Sequence, residues 1–314
     1  MKKTNTLVVG QGIAGSVVAF MLYCKSIPFL VIDPAAVNSS SHVAAGMFTP
    51  ISGKRKTMQA ITLQQIPFAI NVYKEIEKLL GTQLLHLSNI YQVFTSAGER
   101  DELMLRAGND DFAKFINKFP ELLPDIKQEN GAIEISCSGW VDCAGFINSF
   151  RAWLKGSGRL IEGSFIYDDL IMDTSMMQYG QIQFDNIIFC EGYRGIDNPY
   201  FKEENIIPCS GDVLTIRYRD LPVNKIIKKS GIYLVPLGNQ TFRAGATYHW
   251  RNNNEIPGEQ GRRELEQKLD DMLKVKYIVT DHKTGIRPTT INREVISKQH
   301  PVYKNMNKIF LSGQ

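Results

Sequence analysis

The sequence predicts an α/β protein of two domains: one with a parallel sheet flanked by helices, and a second, β-rich α+β domain. Residues 6–33 follow the order strand, glycine-rich turn, helix and strand, as in a parallel βαβ unit. Residues 206–217, 225–236 and 241–247 alternate apolar and polar positions between Pro or Gly turns, which is typical of antiparallel strands. The 314 residues, 43% of them hydrophobic, are enough to form two cores.

Composition argues against several classes of function. The formal charge of +4 is small for this length, and no basic run alternates with aromatic residues, so nucleic-acid binding is not expected. Five cysteines, an odd number without metal-ligand spacing, indicate a reducing compartment, and the cytoplasm is the expected location. The apolar run after Lys3 is too short for a signal peptide or a membrane span. No metal site is predicted.

The first element, at residues 6–9, is a buried strand that leads into a glycine triplet. Three glycines at this spacing permit a tight turn, close approach of the backbone to a pyrophosphate, and close packing of the next helix on the strand. That helix is predicted at residues 16–25, and Pro28 prevents its continuation. The triplet consists of Gly10, Gly12 and Gly15.

Asp33 follows the second strand, which is predicted at residues 29–32. A carboxylate at this position can accept hydrogen bonds from both ribose hydroxyls of an adenosine, and the helix N-terminus offers N–H groups and partial positive charge to the diphosphate. The same carboxylate would repel the 2′-phosphate of NADP. The unit therefore predicts binding of an adenine dinucleotide, and it does not distinguish FAD from NAD.

Residues 34–57 contain a run of small side chains without a helical or strand period. Backbone N–H groups beside such side chains can reach a flat ring system or phosphates, as a flavin requires at N5 and O4. A plain surface loop is the alternative.

The remaining elements are predicted from periodicity and from Gly and Pro breakers. Helices are expected at residues 58–80 with Pro67 inside and Gly81 at the end, at 99–106 and 112–118, at 143–155 with Asp142 as N-cap, and at 261–273. Further strands are expected at residues 90–94, 160–166, 187–190, 277–281 and 308–312.

A series of motifs, in this order and spacing, resembles the D-amino acid oxidase and glycine oxidase family of FAD-dependent oxidoreductases. The resemblance covers essentially the whole chain. It implies a flavoprotein that oxidises a small amino acid or secondary amine to the imine by hydride transfer to flavin N5, with dioxygen or another carrier as the electron acceptor. The motifs are the glycine triplet with Asp33, Ser-Ser-His-Val-Ala-Ala-Gly at 40–46 followed by Pro50, Gly139–Asp142, Ile187–Gly192, Tyr233–Pro236, Gly245–Tyr248 and Gly285–Pro288.

The residue pattern and the resemblance together give the candidate residues for binding FAD, without a covalent bond. Some relatives attach flavin through a histidine directly before Ala-Ala-Gly, but here Val43 separates His42 from that motif, so a hydrogen-bonding role for His42 is expected instead. The candidates are Gly10, Gly12, Ile13, Ala14, Gly15, Asp33, Pro34, Ser41, His42, Ala44, Ala45, Gly46, Met47, Phe165, Ile166, Glu191, Gly192, Arg287 and Gly313.

For the substrate, the resemblance implies that Arg287 binds a carboxylate, with help from the hydroxyl of Tyr233. A guanidinium holds a carboxylate bidentately, which an ammonium cannot do. Tyr248 would line the same pocket; its alternative is a sheet aromatic in the core. From the sequence alone, a surface ion pair is the alternative role for Arg287. The basic run at residues 54–56 is expected to be a solvated turn, or alternatively to meet a second acidic group of the substrate.

The resemblance implies a discontinuous FAD-binding domain, at residues 1–81, 140–205 and 285–314, and a substrate domain at 82–139 and 206–284. In the family, a last strand like residues 309–313 leads into a further glycine-rich turn and a helix that faces the flavin, and this sequence lacks both. Weakened FAD binding or slow reoxidation is therefore expected. Two rival functions stay open: a catalytically impaired flavin-binding protein and an NAD-dependent dehydrogenase.

Overall fold

The computed structural model describes residues 1–35, 39–51, 58, 61–108, 113–172, 176–202, 206–218, 225–250, 254–290 and 295–310. Its strands are β1 (Lys2–Val9), β2 (Phe29–Asp33), β3 (Met47–Phe48), β4 (Leu85–Leu87), β5 (Ile90–Val93), β6 (Ile116–Asn117), β7 (Ala132–Ile135), β8 (Gly139–Val141), β9 (Leu160–Glu162), β10 (Leu170–Met172), β11 (Met177–Tyr179), β12 (Ile182–Phe189), β13 (Ile207–Arg217), β14 (Ile226–Lys229), β15 (Ile232–Gly238), β16 (Thr241–Gly245), β17 (His249–Trp250), β18 (Ile278–Thr289), β19 (Ile296–Gln299) and β20 (Met306–Phe310).

The helices begin and end at signals that the sequence carries. Asp142 caps its helix by accepting a hydrogen bond from the backbone N–H of Gly145 at 3.0 Å, as predicted. Gly81 ends the long helix in the left-handed conformation, with φ of 66°. No helix in the described ranges is both long and apolar enough to cross a membrane. The helices are α1 (Ile13–Cys24), α2 (Ser40–Val43), α3 (Thr62–Leu80), α4 (Ala97–Arg106), α5 (Cys143–Gly156) and α6 (Glu259–Met272), with 3₁₀ turns at Tyr167–Asp169 and Gly192–Asp197.

The first sheet is built around β1. Parallel pairing joins β9, β2, β1, β12 and β20 in that spatial order, and β10, β11 and β19 add antiparallel strands. Because parallel strands end at the same edge of a sheet, the residues that follow β1, β2, β9 and β12 lie close to one another. The central strand is buried along residues 6–9, as its apolar run predicts.

The second sheet has the strand order β17, β13, β16, β15, β14, β5, β7, β6, with β18 paired along β13. It is antiparallel except where β14 meets β5, so the alternating segments after residue 206 form the sheet that the sequence predicts. One face of this sheet packs on α6 through a core that includes Leu214, Leu234, Phe242 and Leu265. The two sheets and their helices confirm the α/β fold class.

Several local predictions need correction. The segment expected to be helical at residues 112–118 contains the short strand β6, which pairs with β7. The strand expected at 160–166 ends at Glu162. The loop at 34–57 includes the single-turn helix α2 and the short strand β3. The domain boundary predicted before Gly285 falls inside β18, so strand pairing assigns residues 285–289 to the second sheet.

Candidate functional site

The turn after β1 requires glycine for steric reasons. Gly10 has φ of +96°, and a Cβ atom there would lie 2.4 Å from the carbonyl oxygen of Cys190 at the end of β12. A Cβ atom on Gly15 would lie 1.8 Å from the carbonyl oxygen of Gly10. The turn therefore packs directly on its neighbouring strand, and α1 packs directly on the turn.

The N-terminus of α1 carries backbone donors that point out of the helix. The N–H of Ile13 donates to the hydroxyl oxygen of Ser41 at 3.1 Å, whereas the N–H groups of Gly12 and Ala14 donate to no atom in the described part of the chain. Such donors, together with the positive end of a helix of 12 residues, suit an anionic group such as a diphosphate.

Asp33 lies at the same edge, at the end of β2. Its Oδ2 accepts from the N–H of Gln11 at 2.8 Å, and its Oδ1 accepts from the N–H of Ala35 and from Arg151, both at 2.8 Å. A carboxylate offers roughly four acceptor positions, so roughly one remains for a ribose hydroxyl rather than the expected two. Arg151 on α5 was not predicted from the sequence. Pro34, beside Asp33, is exposed.

The segment that contains the FAD candidates Phe165 and Ile166 leaves the sheet beside Asp33. The N–H of Gly163 donates to the Asp33 carbonyl at 3.2 Å. Phe165 stacks on Tyr179 with ring centres 4.6 Å apart, so its ring belongs to the core around β12. Ile166 is 48% exposed and lies open at the surface. Of the two candidates, Ile166 is therefore the one whose side chain is available to a ligand.

The two candidate residues in the turn after β12 have different surroundings. Glu191 accepts hydrogen bonds from Tyr167 and Asn198, so its side chain is directed into the protein. Burial raises the pKa of Glu191, and these hydrogen bonds oppose that effect. Gly192 has φ of +58° with open space beside its Cα. At this turn only Gly192 leaves room for a cofactor to approach the backbone.

The segment from Ser40 to Met47 connects the first sheet to the second. Both ring nitrogens of His42 have protein partners, since Nδ1 lies 2.8 Å from Oγ of Ser39 and Nε2 lies 3.2 Å from Oδ1 of Asn148. This arrangement matches the hydrogen-bonding role expected for His42. It fixes α2 to α5.

Some of the small residues in this segment are required for close packing. Gly46 has φ of +67°, and a Cβ atom there would lie 2.1 Å from the carbonyl oxygen of Val141. Ala45 is 9% exposed and belongs to the same core as Trp140 of β8, with which Met47 of β3 pairs. The carbonyl of Ala44 accepts a hydrogen bond from Arg243 at 2.9 Å.

Arg287 lies on β18 with its guanidinium over the backbone of β13. A Cβ atom on Gly211 would lie 2.1 Å from Nη1 of Arg287, so Gly211 provides the space that the guanidinium occupies. Nη1 donates to the carbonyl of Thr247 at 3.2 Å, and the guanidinium carbon lies 4.5 Å from the centre of the Tyr248 ring. Tyr248 is 47% exposed, so the alternative of a core aromatic is wrong.

Tyr233 lies on β15 directly opposite Gly245 of β16. A Cβ atom on Gly245 would lie 2.7 Å from the Tyr233 hydroxyl, so a second glycine makes room for a candidate side chain. Burial raises the pKa of Tyr233 to about 12, an effect that Arg287 and Arg243 oppose. The hydroxyl is therefore protonated at neutral pH and can donate a hydrogen bond.

These side chains share one face of the second sheet, and that face meets α2. Val213 and Tyr233 pack against Val43. A Cβ atom on Gly285 would lie 3.1 Å from Cβ of Val43. We call Arg287, Tyr233, Tyr248 and Arg243 the substrate face. Gly313 and the basic run at residues 54–56 lie outside the described residues.

Comparison with known proteins identifies the family and the fold of this chain. Residues 5–311 match the model of the family DAO, FAD-dependent oxidoreductases. Among solved structures, glycine oxidase from Geobacillus kaustophilus is similar with a TM-score of 0.82 at 17% identity, covering 99% of this chain and 90% of that chain. Iminodiacetate oxidase from a Chelativorans species gives 0.81 at 14%, covering 98% and 89%. L-proline dehydrogenase from P. horikoshii gives 0.80 at 12%, covering 98% and 88%.

Substitution of Gly15 tests the nucleotide-binding turn. The Gly15→Ala variant should raise the Kd for FAD at least tenfold, or about 1.4 kcal/mol, because its Cβ atom would displace the Gly10 carbonyl. Flavin fluorescence during titration of the flavin-free protein measures this. Gly98→Ala is the matched control, since its Cβ atom would meet nothing within 4 Å. Equal affinity in both variants would contradict the role of the turn.

Proposed function

Since the chain belongs to the DAO family of FAD-dependent oxidoreductases, we propose that it oxidises a small amino acid or secondary amine to the corresponding imine. The observation that supports this most strongly is the substrate face, which offers a guanidinium without an anionic partner. Among the described residues, Arg287 forms no ion pair; its guanidinium donates to the Thr247 carbonyl and lies over the Tyr248 ring. A substrate carboxylate would complete its coordination.

Arg287 is held in a fixed orientation before any substrate arrives. The ring of Tyr248 supports one side of the guanidinium, and the missing side chain at Gly211 gives it space. With one N–H directed at Thr247, the planar group still has enough donors for a bidentate carboxylate contact. Such a contact orients the Cα–H bond, and orientation is the main contribution that the protein makes to this kind of oxidation.

Tyr233 supplies a neutral hydroxyl beside the same guanidinium. Its raised pKa keeps the proton in place, so the hydroxyl donates to one carboxylate oxygen of the substrate rather than acting as a base. The amine enters as an ammonium and loses its proton to solvent. The neutral amine then loses a hydride from Cα, which leaves the iminium product for hydrolysis.

The cofactor of the family is FAD, and the described residues fit its adenosine diphosphate part. We propose that the glycine turn and the N–H groups of Gly12 and Ala14 hold the diphosphate, that Asp33 holds the ribose, and that Ser41 and residues 44–47 approach the ring. When bound, FAD would supply the two-electron acceptor that no side chain can provide. Dioxygen or another carrier then accepts the electrons. Membership of the family disfavours the NAD-dependent dehydrogenase.

Anaerobic mixing of the purified flavoprotein with amino acids tests the proposal. Glycine, sarcosine, D-alanine and D-aspartate form the panel, and loss of the visible flavin absorbance with at least one of them is the expected result. A protein that binds flavin but stays oxidised with every amino acid and amine would support the alternative of a catalytically impaired flavin-binding protein.

Replacement of the proposed anchor by lysine should damage substrate binding. Arg287→Lys is expected to lower kcat/KM about a hundredfold, or about 2.8 kcal/mol, mainly through KM, because an ammonium makes no bidentate contact. Steady-state kinetics on the best substrate measure this. Arg263→Lys is the control, because that side chain is 79% exposed on α6, against the opposite face of the sheet. Similar kinetics for the two variants would remove Arg287 from the site.

The pH dependence distinguishes a donor from a base at Tyr233. Because its pKa is raised to about 12, the hydroxyl stays protonated below that pH and is lost as a donor only above it. Tyr233→Phe should therefore lower kcat/KM about tenfold while leaving the acidic limb of the pH profile unchanged. Tyr277→Phe, which removes a hydroxyl near α6, is the control. A shift of the acidic limb in Tyr233→Phe would contradict the donor role.

A further inference from the structure

Arg243 is a second arginine on the substrate face, and strand alternation places it there. On β16, Phe242 and Ala244 point into the core that packs on α6. Arg243 and Gly245 have the opposite parity, so they face the same side as Tyr233, whose hydroxyl lies over Gly245. The side chain of Arg243 is half-buried, and Nη1 donates to the Ala44 carbonyl at 2.9 Å.

The guanidinium of Arg243 has no anionic partner among the described residues. Other half-buried arginines of this chain are satisfied differently: Arg151 forms an ion pair with Asp33, and Arg159 lies over the rings of Tyr23, Phe29 and Trp153. Among the described residues, the guanidinium of Arg243 hydrogen-bonds only to the Ala44 carbonyl, and it has further N–H donors. A cation that is partly removed from water without a counter-ion is unfavourable, and a bound anion would relieve that cost.

Arg243 and Arg287 approach Tyr233 from two sides. The guanidinium of Arg287 lies over Gly211, and Arg243 is paired with Thr215, four residues further along β13. At a rise of about 3.3 Å per residue, this separation is about 13 Å. Arg243 donates to the carbonyl of Ala44, and the preceding residue, Val43, packs on Val213 between these two positions. Both arginines oppose the raised pKa of Tyr233.

We propose that Arg243 binds a second carboxylate of the substrate, so that the enzyme prefers an amino acid or secondary amine with two acidic groups. Arg287 takes the carboxylate on the carbon that is oxidised, and Arg243 takes the distal one. This inference rests on the proposed function, since it names the substrate class for the same site. It assigns a specificity-determining role to a residue that neither the motifs nor the resemblance singled out.

The test compares acidic substrates with their neutral amides. Wild-type kcat/KM should be at least tenfold higher for aspartate than for asparagine of the same configuration, and likewise for glutamate and glutamine. Arg243→Gln should reduce this preference at least tenfold, because it lowers kcat/KM far more for the acids than for their amides. Arg263→Gln removes the same charge from α6 and should keep the preference. Equal losses for acids and amides in Arg243→Gln would mean that Arg243 acts only by holding Ala44, which would overturn the proposal.

A binding measurement on the wild-type protein covers the case in which Arg243→Gln loses its flavin. Succinate should perturb the flavin spectrum at a concentration at least tenfold lower than its monoamide, and equal affinity would overturn the proposal. The experiments distinguish failure of the second carboxylate site from failure of the proposed function. Oxidation of neutral amino acids without any acidic preference would remove the second subsite and leave the proposed function. Tight succinate binding without reduction by any amino acid would contradict the proposed function and leave the subsite.

Discussion

The segment from Ser40 to Gly46 is held from both sides by hydrogen bonds, and the relation between the two sheets depends on it. On one side the N–H of Ile13 donates to Ser41, which ties the segment to the start of α1. On the other side Arg243 donates to the carbonyl of Ala44. A single stretch of chain thereby connects the glycine turn to the substrate face, and the FAD that we propose would extend along it.

On both sides of this segment, glycines act through the absence of a side chain, but with different results. Near the nucleotide turn, Gly10 and Gly15 bring backbone against backbone, which no side chain would allow. On the second sheet, Gly211 and Gly245 instead make room for the functional side chains of neighbouring strands, namely a guanidinium and a phenol hydroxyl. Glycines in strand interiors thus give space to the side chains of the substrate face.

Much of the fold could be predicted because it is local. The strand, glycine turn and helix at residues 6–25 and the alternating strands after residue 206 each carry their own periodicity. Contacts across long sequence separations could not be predicted this way: Arg151 meets Asp33 across 118 residues, and Arg243 meets Ala44 across 199. Glu191 shows the same limit, since its motif predicted a cofactor contact but Tyr167 and Asn198 draw its carboxylate inward. The alternation of Arg243 with Gly245 along β16 was the sequence feature that could have placed Arg243 on the substrate face.

The placement of Arg287 relative to the flavin is the central claim, and a crystal structure of the protein with FAD and an unreactive carboxylic acid measures it most directly. We expect the flavin ring beside Ala45 and Gly46, and the carboxylate bound bidentately by the guanidinium of Arg287 with the Tyr233 hydroxyl donating to it. A carboxylate bound elsewhere, with the guanidinium contacting only Thr247 and Tyr248, would contradict the proposed oxidation of amino acids at this site.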